Sequence, residues 1–194
     1  GAFSDLVGFQ NRRNVDNEVY ILQSHRLMSE VVKRLHLTVN YSVREGLRTA
    51  DLYGRSPIEV DFINDNSKQK LSLEVTPLRN GKIELTDFED KFVTRQETKR
   101  VILAEYGDTV ATPVGQVVVH KTLFMDSTYL KKPITVIKNS LAATTNAYRA
   151  AVKSDVANKQ ASIVTISMNN SVPRRAEDVI NTLIAVYEED AIAD

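Results

Sequence analysis

The sequence predicts an α+β fold: a mixed or mostly antiparallel sheet packed against N- and C-terminal amphipathic helices. Three observations point there. Helical apolar stripes lie near the start and at the end of the chain. Period-two alternation fills the stretch between them, as strands with one buried and one wet face require. An Asn80-Gly81 pair sits between two alternating runs, the strongest short-range hairpin signal.

The first helix is predicted over Val15 to Leu35, where Val15, Val19, Leu22, Met28, Val31, Val32 and Leu35 share one stripe. Asn14 or Asp16 can cap its start, and Ser24 can restart it as an internal cap with a bend. Strands follow at Leu37–Val43, Ile58–Phe62, Leu71–Val75 and Ile83–Leu85, the last two making a hairpin over residues 70–88. Asp87 to Arg100 is densely charged and loses periodicity, which reads as a surface excursion or a loosely ordered loop. Strands resume at Val101–Glu105 and Gln116–Lys121 around a turn-rich connection, Tyr106–Gly115. A strand from Pro133 to Lys138 leads to a helix over Ser140–Ala157, then to a strand over Ala161–Met168 with Val164, Ile166 and Met168 on one side. The final helix has Pro173 in its first turn, where the missing N–H costs nothing. Ala176, Val179, Ile180, Leu183 and Tyr187 form its apolar stripe. Without repeats, low-complexity tracts or a linker, residues 1–194 read as a single domain.

At 194 residues with 25 basic and 25 acidic side chains, the chain has a formal charge of zero. Binding to a phosphate backbone normally brings a basic excess, so nucleic acid is not an expected partner. Cysteine is absent, which removes disulfides, thiolate metal sites and cysteine nucleophiles. No apolar run approaches the ~20 residues that cross a bilayer. His25, His36 and His120 stand far apart, outside any ligand spacing. Asp87, Glu89 and Asp90 cluster in a hydrophilic stretch where all would stay ionised. Asn64-Asp65-Asn66-Ser67 opens like a calcium loop but lacks the glycine and the distal Glu, so a turn is the better reading. Gly107 and Gly115 belong to no phosphate-binding motif. Neither a catalytic residue nor a cofactor or metal site is expected in this stretch.

With these elements placed, the chain resembles the extracytoplasmic domain of the chain-length determinant family, the polysaccharide co-polymerases of bacterial surface-glycan assembly. Asn14-Val-Asp-Asn-Glu-Val-Tyr-Ile-Leu-Gln-Ser24 and Leu27-Met-Ser-Glu-Val-Val-Lys-Arg-Leu-His-Leu37 are similar to that family's opening helix. The strand Ala161–Met168 with Pro173-Arg-Arg-Ala-Glu-Asp-Val-Ile-Asn-Thr-Leu-Ile184 resembles its closing strand and helix. Ser56-Pro-Ile-Glu-Val-Asp-Phe62 and Thr112-Pro-Val-Gly-Gln-Val-Val118 also look like versions from the Bacteroides group.

The resemblance implies a domain on the periplasmic face of the bacterial inner membrane, excised from a longer protein with one transmembrane helix before Ala2 and another well beyond Asp194. The glycine that opens the chain, read as a scar of tag cleavage, and a last helix without a stop signal agree with a cut piece. Both ends are expected on the same side, within reach of one bilayer surface. The implied role is non-catalytic: an oligomeric scaffold that sets the length of a capsule, O-antigen or exopolysaccharide, with the polymerase, the growing glycan and further copies of itself as partners. Many relatives carry a cytoplasmic tyrosine autokinase after the second membrane helix. The alternative is a periplasmic adaptor or structural domain of another envelope export machine. Candidate oligomer contacts are the charges of both signs at Arg12, Arg13, Glu89, Asp90, Arg174, Arg175, Glu188 and Glu189.

Overall fold

The computed structural model describes residues 1–9, 15–63, 68–158 and 160–193. Twelve strands and five helices are set out in two compact units. One unit is discontinuous, built from residues 1–38 and 141–194, and the other is the stretch 39–140 between them. The architecture is α+β, with antiparallel pairing throughout the described strands and amphipathic helices near both ends of the chain.

The discontinuous unit holds β1 (Ala2–Gly8), α1 (Val15–Leu22), α2 (His25–Arg34), α4 (Leu141–Ala151), β11 (Val152–Asn158), β12 (Ile163–Asn169) and α5 (Pro173–Ala193). The predicted single helix is two, because Ser24 takes an extended backbone and its hydroxyl accepts the Leu27 N–H, capping α2. At the other end of α2, His36 sits at positive φ while its N–H and that of Leu37 return to Lys33 O and Val32 O. This is a Schellman closure with histidine where glycine is usual, and Leu37 is buried just beyond it. His36 therefore stops a helix.

The small sheet runs β1-β12-β11. Its central strand turns Val164, Ile166 and Met168 inward, and α5 answers with Ala176, Val179, Ile180 and Leu183, all fully buried. Helix α5 packs on β1, β12, α1 and α2, and α4 packs on α2. The helix predicted to reach Ala157 ends at Ala151, where the chain becomes β11. Pairing with β12 from Val152 to Asn158 supplies hydrogen bonds that a polar run could not win as an isolated helix. Strand β1 was not predicted either; its residues pair with β12 from Gly8↔Ile163 to Ala2↔Asn169.

That pairing fixes the ends. The Gly1 amine donates to Asn170 O at 2.7 Å, beside the start of α5. Asp190 lies near the far end of the same helix, about 25 Å away at ~1.5 Å per residue. The expectation that both ends face one side is corrected: they occupy opposite ends of α5.

The unit over residues 39–140 contains two sheets, β3-β2-β10-β5-β6-β7 and β4-β9-β8. Their strands are β2 (Val39–Glu45), β3 (Arg48–Asp51), β4 (Ile58–Ile63), β5 (Leu71–Pro77), β6 (Lys82–Glu89), β7 (Ile102–Glu105), β8 (Thr109–Thr112), β9 (Gly115–Lys121) and β10 (Ile134–Lys138). Leu73, Val75, Ile83, Leu85, Val117, Val119, Ile134 and Val136 meet in one core. The Tyr41 hydroxyl accepts the Val60 N–H at 2.8 Å, tying the two sheets together. Burial pushes that phenol up to about 12.

The predicted hairpin is present as β5–β6, closed by Leu78 N–H to Lys82 O and Gly81 N–H to Leu78 O, with Gly81 at φ +81°. The charged stretch after it is ordered, contrary to the loop reading. Strand β6 continues to Glu89, Phe88 is fully buried, and Asp90 accepts the N–H groups of Phe92 and Val93. A short helix, α3 (Arg95–Thr98), then starts on a reciprocal capping box between Thr94 and Glu97. The Tyr106–Gly115 connection, read as turns, carries β8. Residues 64–67, read as a turn, lie outside the described residues.

Candidate functional site

Helix α5 carries its charges against its own dipole. Arg174 and Arg175 stand in the first turn and Glu188, Glu189 and Asp190 near the end, where the peptide dipoles favour the opposite signs. Each such placement costs about 0.3–1 kcal/mol at an exposed helix end unless something offsets it. Helix α2 offsets the acidic end. Arg26 reaches Asp190 through two nitrogens at 2.6 and 2.9 Å, and Arg34 reaches Glu189 at 2.9 and 2.5 Å. The Arg34 Nε also meets Glu30, one turn back on its own helix, at 3.2 Å.

These pairs set the titration of the seam. The hydrogen bonds from Glu189 and then Glu30 hold the Arg34 guanidinium above its ordinary value. The matching bonds hold Glu189 and Asp190 below the usual carboxylate range. The pairs line a groove of about 270 Å³ floored by Leu27 and Val186. One turn earlier Tyr187 is buried edge-on against Phe9, centroids 5.5 Å apart, and its hydroxyl donates to Glu18. Burial first, and then that bond, push the phenol above its ordinary value.

The structure separates the sequence-predicted contact residues. Arg12 and Arg13 lie outside the described residues. Arg174 is exposed, with Asp178 one turn on at 3.9 Å. Arg175, expected at the surface, is buried to 6% exposure and bonds Asn170 Oδ1 at 3.3 Å, so it props the turn into α5. Glu188 is exposed, whereas Glu189 is engaged by Arg34. Glu89 is exposed at the end of β6, and Asp90 is half-buried and committed to its own turn. Arg174 and Glu188 are exposed charges of opposite sign near the two ends of α5.

Sequence reasoning missed the basic partners, Arg26 and Arg34. Their signal was the helical step between them and the acidic end of a helix with no basic last turn. It also missed Glu74, half-buried on β5, whose carboxyl is pushed up to about 7 by burial first and then by Asp87 and Glu89.

Among the described residues, no group of three or more His, Asp or Glu side chains could hold a metal ion. His120 meets only Asp61, at 3.3 Å. No helix among them is long and apolar enough to cross a membrane. No protein-family model matches the chain, and no curated protein is significantly similar to it.

Proposed function

We propose that this chain is the extracytoplasmic domain of a chain-length determinant co-polymerase, a non-catalytic scaffold that assembles beside a polysaccharide polymerase at the periplasmic face of the inner membrane. One observation carries the reading. The segments that resemble the family's opening and closing elements, well over a hundred residues apart in the chain, come together as α1, α2, β12 and α5 of one compact unit. A likeness made of scattered local patterns would have no reason to converge in space.

Two further features agree with it. Arg174 and Glu188, exposed charges of opposite sign near the two ends of α5, suit side-to-side contacts between copies. The equal numbers of basic and acidic side chains, 25 of each, also suit polar contacts between copies. The reading has a geometric consequence: chain beyond α5 must return about 25 Å along that helix to reach the level of Ala2.

The test is deletion of the full-length protein in its host, with the surface polysaccharide resolved by length on a gel. Polymer should still be made, with its length distribution broadened or shifted. An unchanged distribution overturns the proposal. Polymer made but retained inside the cell would replace it with the export-adaptor reading.

A further inference from the structure

The chain is neutral overall, yet one end of the 39–140 unit is not. There the β5–β6 turn, the end of β9 and residues 122–130 enclose a groove of about 290 Å³. Residues 122–130 are folded back rigidly. Thr122 donates to Ser56 O at 2.5 Å and accepts the Phe124 N–H at 3.1 Å, and Lys131 N–H meets Pro77 O at 2.7 Å. Arg79 and Lys121 line the groove, and neither forms an ion pair among the described residues. Lys131 and Lys132 are exposed close by, and the bonds from Thr128 first, then the charge of Lys132, hold Asp126 below the usual carboxylate range.

Asp126 is the acid in the lining; it accepts the N–H and hydroxyl of Thr128 and keeps its negative charge, one acid against the two cations. Glu105, which precedes Tyr106 in the chain, is paired with Lys82 at 3.9 Å. The site is therefore cationic, with a planar guanidinium and an ammonium on one groove. Its walls are not those of a bare anion site. The half-buried Tyr106 ring lies under the Lys121 ammonium, 4.8 Å from ring centre to nitrogen, and Leu78, Met125 and Leu130 continue the apolar surface.

We propose that this groove binds a carboxylated sugar unit of an acidic glycan. Arg79 takes the carboxylate with its fork, Lys121, seated on the Tyr106 ring, adds a second positive charge, and the aliphatic wall of Leu78, Met125 and Leu130 covers the sugar's C–H face. The Ser127 hydroxyl is placed to meet a sugar hydroxyl. The volume is at the small end for a ligand pocket, which suits one or two rings of a longer chain held weakly and repeatedly. The assignment rests on the proposed function, which puts a glycan next to this domain.

The test titrates this 194-residue chain with tetragalacturonate, maltotetraose, acetate and inorganic phosphate, followed by amide chemical shifts. Tetragalacturonate should bind about tenfold or more tightly than the other three, with shifts centred on residues 78–81, 106, 121 and 125–130. R79Q and K121Q should each weaken it about fivefold or more, R79K should fall between, and D126N should tighten it by roughly threefold. Both cations are exposed, so unchanged thermal unfolding is the check that the variants fold. Equal binding of maltotetraose, equal binding of phosphate or acetate, or no binding would each overturn the proposal. In the full-length protein, R79Q/K121Q should alter polymer length. If deletion alters it and the double variant does not, the groove proposal fails and the scaffold reading stands. If deletion alters nothing, the scaffold reading fails whatever the titration shows.

Discussion

Arg34 grips Glu189 across 155 residues of sequence with both terminal nitrogens, at 2.9 and 2.5 Å, and so fixes the end of α5 to α2. Arg26 does the same for Asp190. Because Glu189 and Asp190 are held below the usual carboxylate range, this contribution is present above that range and is lost as pH falls from it through their lowered values.

Acid should therefore free the end of α5 before it unfolds the rest. Hydrogen exchange over residues 186–193, corrected for intrinsic rate, should lose protection as pH is taken from neutral to below the usual carboxylate range. R34A should lose that protection already at pH 7, and high salt should mimic part of the effect because the pairs are exposed. Equal protection at both pH values would show that apolar contacts alone hold the helix end.

Leu183 is fully buried where α5 meets the small sheet. Leu183→Ala should cost about 2–5 kcal/mol in denaturant unfolding, the range for a core leucine that leaves a cavity. A loss below about 1 kcal/mol would mean that the site collapses around the smaller side chain.

Thr145 of α4 is also fully buried, and its hydroxyl has no hydrogen-bond partner among the described residues. Removing an unsatisfied buried hydroxyl while keeping the shape should be neutral or stabilising, by up to about 1 kcal/mol for Thr145→Val. Clear destabilisation in chemical denaturation would reveal a partner for the hydroxyl.

Glu74 gives the opposite pH sign from the α5 seam. Its carboxyl is raised from 4.5 to about 7 by burial, Asp87 and Glu89, so the folded state holds the proton more tightly than the unfolded chain. Stability should fall as pH rises from about 4.5 to 7 and the penalty should stay constant above. Allowing for solvent screening of a half-exposed group, the loss is on the order of 1 kcal/mol. Glu74→Gln should flatten the unfolding midpoint across that window and raise it at pH 8. An identical pH profile in the variant would remove Glu74 as the cause.

The parts of the fold that could be read in advance are those decided locally. Ser24 announces its cap, Asn80-Gly81 its turn, and the α5 stripe repeats at helical spacing before any partner is known. Strands β1, β3, β8 and β11 are decided by pairing. Val152-Lys-Ser-Asp-Val-Ala-Asn158 has no apolar alternation and becomes a strand because β12 offers its edge. Residues 87–100 hid Phe88 among charges, though the Thr94-x-x-Glu97 capping box was there to be read. A unit assembled from residues 1–38 and 141–194 leaves no composition break to mark it. The burial of Arg175 and the pairing of Glu189 depend on Asn170 and Arg34, distant choices that a charge pattern does not contain.

On the proposed function, the exposed charges near the two ends of α5 would serve assembly. Arg174 and Glu188 face solvent at opposite ends of one helix, so two copies can meet with unlike charges, and repeated head-to-tail contacts close into a ring when the rotation permits. A single exposed pair contributes about 0–1 kcal/mol, too little to hold free copies together. Membrane tethering raises the effective concentration, so the same weak contact can suffice there. This chain alone should sediment as a monomer or weak oligomer, and the full-length protein in detergent or lipid should run as a defined higher oligomer. Arg174→Glu and Glu188→Arg should each loosen that oligomer, and the two together should restore it. A strict monomer of the full-length protein by cross-linking and mass measurement would remove the ring and weaken the family proposal with it.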